Sequence, residues 1–210
     1  MIRSCLVAAL LLAHLIPTAS AQCRDWRDGF GLPGNGVAAP ITASLQFDDG
    51  GGNKLYTMPG GTPPGGVAGE IGAWDGSAWS SLPGDFNGSI LGMARFDDGS
   101  GPALHVAGEF TLVNGAPLLR ASKLSGGTWQ PLGAGVGSAF NPNDRVVAVC
   151  VHDDGTGAKL YAGGRFLEAG GAPASNIAVW NGTAWSALGS GTDGEVRELA
   201  SYAGKLYVAG

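Results

Sequence analysis

The sequence predicts an all-β fold assembled from repeated four-stranded antiparallel units. Three observations carry this. Gly (38) and Pro (12) are abundant among 210 residues while hydrophobic residues still make up 44%. A disordered chain needs low hydrophobicity, so these residues punctuate many short strands. Three sets of anchor residues recur at nearly constant spacing, and no stretch beyond the first twenty or so residues sustains a helical period.

The first segment stands apart. Met1-Ile-Arg3 gives a short positive start, and Leu6 to Ile16 is apolar except for His14. Ala19-Ser-Ala21 then places small residues where a signal peptidase reads them. This pattern predicts a secretory signal peptide over 1–21, cleaved between Ala21 and Gln22. The apolar run is far shorter than the roughly 20 residues a membrane span needs, so no span is expected after cleavage. Ala21-Gln22 before Cys23 is a poor match to a lipidation signal. Residues 22–40 form a lead-in segment. Export makes a Cys23–Cys150 disulfide chemically possible, without establishing it.

The repeat begins at residue 41. Phe47-Asp-Asp-Gly50, Phe96-Asp-Asp-Gly99 and His152-Asp-Asp-Gly155 lie 49 and 56 residues apart. Trp79-Ser-Ser-Leu82, Trp129-Gln-Pro-Leu132 and Trp185-Ser-Ala-Leu188 move with them, at 50 and 56. Leu55-Tyr56, Leu104-His105, Leu160-Tyr161 and Leu206-Tyr207 form a third series. The added length in the second interval falls in Gly137–Asp144, a polar loop containing Pro142.

Inside a unit, strands are expected four times. In the third unit they are Val146–His152, Lys159–Gly163, Asn176–Trp180 and Ala184–Leu188. In the first unit Ile41, Ala43, Leu45 and Phe47 alternate with Thr42, Ser44 and Gln46, the period of two of a strand. Asp75-Gly76 and Asn181-Gly182 supply the positive backbone angles of tight hairpins between third and fourth strands. The last hairpin is an internal check. Six residues separate His152 from Lys159 and two separate Tyr202 from Lys205, while the flanking strands stay aligned.

Four antiparallel strands in about 50 residues describe a β-propeller blade. The predicted divisions are blade 1 at 41–88, blade 2 at 89–144, blade 3 at 145–194 and the start of a fourth blade at 195–210. Closure takes roughly four to eight blades, so an incomplete ring, cut within Lys205–Gly210, is expected.

Lys159-Leu-Tyr-Ala-Gly-Gly164, Ile177-Ala-Val-Trp180 and Trp185-Ser-Ala-Leu188 resemble a kelch-type blade, with a glycine pair closing the second strand. The phrasing over residues 41–210 is similar to secreted bacterial kelch-like repeat proteins and to the propeller of fungal cortical cell-polarity markers. The resemblance implies a propeller, and its members are functionally mixed. Gly108-Glu109 and Lys123-Leu124 depart from the pattern, as does Pro59 in the second strand of the first unit.

The Asp pairs (Asp48, Asp49, Asp97, Asp98, Asp153, Asp154) are candidate calcium ligands in an exported chain. Turn chemistry accounts for them better, because the alternating loop and distal Glu of a calcium site are missing and the fourth unit drops the pair. Trp79, Trp129 and Trp185 fit packing between blades rather than a ligand-stacking surface. Cys150 aligns with Leu45, Ala94 and Ala200, which points to a core thiol. His105 and His152 hold different strand positions without metal-ligand spacing, and no nucleophile elbow, phosphate loop or zinc motif occurs. No catalytic residue, cofactor or metal is therefore assigned. Asn87-Gly-Ser89 and Asn181-Gly-Thr183 match the glycosylation triplet but equally fit turns.

A net charge of -5 without a basic block argues against nucleic acid as a partner. The expected function is non-catalytic binding or cell-surface structure, toward an extracellular protein or carbohydrate, with 137–144 as the leading contact loop. The alternative is a propeller-fold extracellular enzyme acting on carbohydrate, with its active site largely elsewhere in a longer chain.

Overall fold

A computed structural model describes residues 41–48, 51–59 and 71–210. The predicted leader with its Ala21–Gln22 junction, the lead-in with Cys23, and Asp49 lie outside the described residues. Those described are all-β, with no helix.

Three sheets follow one another along the chain, each four-stranded and antiparallel. The first contains β1 (Ile41–Asp48), β2 (Asn53–Pro59), β3 (Gly72–Trp74) and β4 (Trp79–Ser81). The second contains β5 (Ile90–Asp97), β6 (Pro102–Gly108), β9 (Ala121–Ser125) and β10 (Thr128–Pro131). The third contains β11 (Arg145–Asp153), β12 (Ala158–Arg165), β15 (Ile177–Trp180) and β16 (Trp185–Ala187). A hairpin of β17 (Glu198–Tyr202) and β18 (Lys205–Ala209) follows. Within each sheet neighbours in space are neighbours in sequence, apart from two ribbons the repeat pattern does not reveal. These are β7 (Leu112–Val113) with β8 (Ala116–Pro117), and β13 (Glu168–Ala169) with β14 (Ala172–Pro173). Two-residue strands are too short to display a period, and only the turns Asn114-Gly115 and Gly170-Gly171 betray them.

The sheets pack face to face because the second strands β6 and β12 place buried apolar residues on both sides. Leu104 and Val106 of β6 join Phe47, Tyr56 and Met58 of the first sheet, while Ala107 joins Val146, Leu160 and Ala162 of the third. In β12 the same split occurs, with Tyr161 turning instead toward Val196 and Leu199. A single sheet with two apolar faces must be covered twice, which is why one unit does not suffice.

Two devices recur at the repeat spacing. Trp129 Nε1 donates to the carbonyl of Pro83 (2.5 Å), and Trp185 Nε1 donates to that of Leu132 (2.8 Å). Each indole thus ties its sheet to the segment leaving the preceding one. Across the outer hairpin, Trp74 pairs with Trp79 and Trp180 with Trp185; Leu124 takes the corresponding place opposite Trp129. The second device is a bulge near the start of each sheet's first strand, between Ile41/Ala43, Ile90/Gly92 and Val146/Ala148. Beside it the second strand passes so close that a Cβ on Gly108 would lie 2.0 Å from Ser89 O, and one on Gly164 2.1 Å from Arg145 O. Gly108 therefore matches Gly164, the second glycine of the kelch-like pair, and Ala107 matches Gly163.

Candidate functional site

In a four-stranded meander the turns between strands one and two, and three and four, share one end. The remaining connections share the other. The two ends differ in chemistry.

At the hairpin end the Asp pairs serve the turns. Asp97 Oδ1 accepts the backbone N–H groups of Gly99 (2.9 Å) and Gly101 (3.0 Å), and Asp153 Oδ1 accepts those of Gly155 and Gly157. Asp48 accepts Gly52 N–H in the same manner. The second member bonds a hydroxyl residue and a lysine: Asp98 with Ser100 and Lys123, Asp154 with Thr156 and Lys159. The lysines come from different strands, β9 and β12, yet reach equivalent carboxylates. Burial pushes Asp98 up, but the bonds from Lys123 and Ser100 outweigh it and hold the group at about 2. Thr156 and Lys159 hold Asp154 at about 2 as well.

The histidines sit in the faces between sheets rather than at an end. His105 is fully buried, edge-on to Phe96, in the slot that Tyr56 and Tyr161 fill in the other sheets. Its Nδ1 bonds the carbonyl of Ala103 (3.1 Å) and must therefore carry the proton, leaving the Nε2 lone pair without a partner. Burial pushes its pKa below 6.5, against the opposing pull of Ala103 and Asp98. His152 Nδ1 meets Ser201 Oγ (2.8 Å), linking the third sheet to the last hairpin. Cys150 is a half-buried free thiol beside that hairpin, and burial pushes it up, away from thiolate chemistry.

The opposite end carries an insertion. Each of the first strands β5, β11 and β17 is reached through a connector from the preceding sheet. Two connectors are two residues long, 87–88 and 193–194, and the third, 137–144, has eight. The flanks are equivalent: Val136 N–H donates to Leu119 O as Thr192 N–H does to Ser175 O. The six added residues hence interrupt nothing in the sheets.

The long connector is built around Arg120. This side chain is 1% exposed, and its Nε donates to Asp144 O (2.6 Å), Nη1 to Val136 O (3.2 Å) and Nη2 to Asn141 O (2.9 Å). Asp144 completes the frame, with Oδ2 accepting Ser138 N–H (2.8 Å) and Oδ1 accepting Asn141 Nδ2–H (2.5 Å). Asn143 N–H bonds Asn141 Oδ1 (3.1 Å), and two turns close from Ser138 O to Asn141 N and from Asn141 O to Asp144 N. Gly137 N–H reaches Glu168 O (2.7 Å), fastening the loop to β13. Asn176 occupies the position of Arg120 one unit later and donates only to Thr192 O, which suits a short connector. Both residues have positive φ, 56° and 64°, a region that favours Asn and disfavours Arg. The strained backbone at Arg120 is offset by the bonds its long side chain alone can span.

Phe140 stands on this frame, 96% exposed, the most exposed large hydrophobic among the described residues. Leu167, 72% exposed, adjoins β13 where the loop is fastened. Nearby, Arg145 holds Glu195 through two bonds, Nε to Oε1 (2.6 Å) and Nη2 to Oε2 (2.9 Å), and Glu109 and Arg165 add their charges to this cluster.

Loop length in the sequence points to 137–144, but neither Arg120 nor Phe140 stands out there. The signal that could mark Arg120 is the repeat itself: an Arg in the position of Asn176, in the unit whose connector is lengthened. Of the two glycosylation triplets, Asn87 binds Thr111 and Leu112 through both ends of its amide, whereas Asn181 caps the β15–β16 turn through Oδ1. No family model matches the chain, and no curated protein or solved structure shows significant similarity to it.

Proposed function

We propose that the chain is an exported β-propeller module that binds a partner through the end carrying the long connector, without catalysis. The successive sheets serve as blades, each covering the face its neighbour leaves open. The leader pattern in Met1–Gln22 supports export, and the likeness to kelch-type blades in Lys159–Gly164 and Ile177–Trp180 supports the propeller reading.

One observation carries the binding role. The hairpin end varies by shortening its last turn from six residues to two, whereas at the other end eight residues replace two and a buried arginine holds them in place. A rigid sheet framework bearing a distinct ordered loop is the usual division between scaffold and recognition. The hairpin end, by contrast, repeats the same Asp-capped turn in the three four-stranded sheets and adds no residues in the last hairpin.

The experiment replaces 137–144 by Asp-Gly, the connector found at 193–194. Wild type and variant are applied to arrays of immobilised extracellular proteins and of glycans. The reading expects an unchanged fold by circular dichroism and binding that disappears with the loop. Binding that is indifferent to the replacement, or none at all, overturns it.

A further inference from the structure

Resting on the reading that this end is the binding face, we infer that Phe140 is an anchor for an apolar pocket on a protein partner. The inference starts from what the loop does with its polar groups. Ser138 Oγ accepts the N–H of Phe140 (3.3 Å), both ends of the Asn141 amide are bonded, and both Asp144 oxygens are bonded. These side chains hold the loop's own atoms. A phenyl ring at 96% exposure is what the loop presents outward.

That ring adds nothing to the core and is expensive to leave in water only if nothing covers it. Its support is also preformed. Arg120 and Asp144 are buried and fix the loop on both sides of Phe140, so little conformational freedom remains to be lost on binding. An aromatic side chain on an ordered backbone, inserted into a desolvated pocket, is the usual make-up of an interface hot spot. Leu167, just ahead of β13, supplies a second apolar contact, and exposed Arg165 ends β12 two residues earlier.

The chemistry favours protein over carbohydrate. A sugar ring stacked on Phe140 would need several hydrogen-bonding side chains around it for the hydroxyl groups; Ser138, Asn141 and Asp144 are turned to the loop itself, and within the loop the exposed Asn143 amide alone is left. A lipid surface is disfavoured too, because the charges at this end are mixed: Arg145, Arg165 and Arg197 stand among Glu109, Glu168 and Glu195, which leaves no net positive patch beside the ring.

The test uses the whole chain and a phage library of disulfide-closed random peptides, panned with wild-type protein as target. Selected peptides are then measured by calorimetry against F140A, F140W and the Asp-Gly loop replacement, and the same proteins are applied to a glycan array and to vesicles of anionic lipid. Binding should weaken at least about tenfold in F140A, be retained in F140W, and be lost without the loop. Because Phe140 is so exposed, F140A should melt with wild type. Peptides that need the loop but tolerate F140A refute the anchor while leaving the binding face intact. Peptides indifferent to both changes, or no selected peptides, sink the reading of this end. Phe140-dependent binding to glycans or vesicles instead of peptides overturns the assignment to a protein partner.

Discussion

Replacing Gly108 by Ala tests the close approach that sets each sheet's first hairpin. The new Cβ would lie 2.0 Å from Ser89 O and 2.9 Å from Ile90 Cα, both backbone atoms. Ordinary carbon–oxygen contacts start near about 3.3 Å, so the two strands must separate by roughly 1.3 Å. That separation breaks the bond from Glu109 N–H to Ser89 O (2.8 Å) and strains that from Gly108 N–H to Arg120 O (3.1 Å). The broken bond is worth about 1 kcal/mol net, the strained one up to about as much, and forcing packed strands apart costs about 1–3 kcal/mol more, for a total of about 2–5 kcal/mol. Against the margin of an ordinary domain, about 5–15 kcal/mol, that is a substantial share. Urea unfolding followed by tryptophan fluorescence should show the midpoint moving down with an unchanged slope. Gly194→Ala is the control, since a Cβ there meets nothing within 4 Å and the residue lacks positive φ. It should stay within about 0.5 kcal/mol of wild type. A loss below about 1 kcal/mol in G108A would refute the argument.

Arg120→Asn copies the residue at 176 and should release the long connector. We expect faster amide hydrogen exchange at Ser138 and Asp144, whose N–H groups bond within the loop, and a loss of about 1–3 kcal/mol, because three carbonyls lose their donor. Unchanged exchange at those amides would contradict the clamp. His105 should make stability pH-dependent. Its folded pKa lies below 6.5, so its contribution is complete above pH 6.5 and is lost as the pH falls below that value toward the folded pKa. His105→Tyr, the residue of the matching slots, should flatten this dependence in denaturant titrations between about pH 4.5 and 7, above the range where Asp98 titrates; an equally steep profile in H105Y would exclude the role. Trp185→Phe keeps most of the packing but removes the donor to Leu132 O, and should cost about 1–2 kcal/mol in the same unfolding assay. No loss would mean that the indole bond adds nothing to the sheet junction.

Much of the scaffold is legible in residue spacing. The third unit's predicted strands, Val146–His152 and Lys159–Gly163, lie inside the observed Arg145–Asp153 and Ala158–Arg165, because an alternating apolar pattern is a local property of an exposed-or-buried strand. Trp129 and Trp185 likewise fall on last strands and pack against the preceding sheet, whereas Trp79, also on a last strand, is only half-buried. The ribbons β7–β8 and β13–β14 were hidden, since their pairing depends on turns rather than on side-chain period. The kelch-like glycine pair was only half informative. Its second member meets backbone and admits no side chain, whereas a Cβ on the first, Gly163, would meet the Val196 side chain, and Ala107 stands in that place one unit earlier.

The candidate site divides in the same way. Sequence by itself determined that the connector 137–144 is longer than its counterparts, because length is counted along the chain and the flanking anchors stay in step. Only the tertiary structure decided what the added residues do. Arg120 precedes the loop by seventeen residues (137 minus 120), on the far side of a sheet edge, and nothing local marks it as the loop's support. A long-range hydrogen bond is chosen by distance in space after the sheets have packed, and the same packing leaves Phe140 in solvent while burying the charge beneath it. Burial is a property of the assembled faces and not of the residue type, so an exposed phenylalanine and a buried arginine could be told apart only once those faces had met.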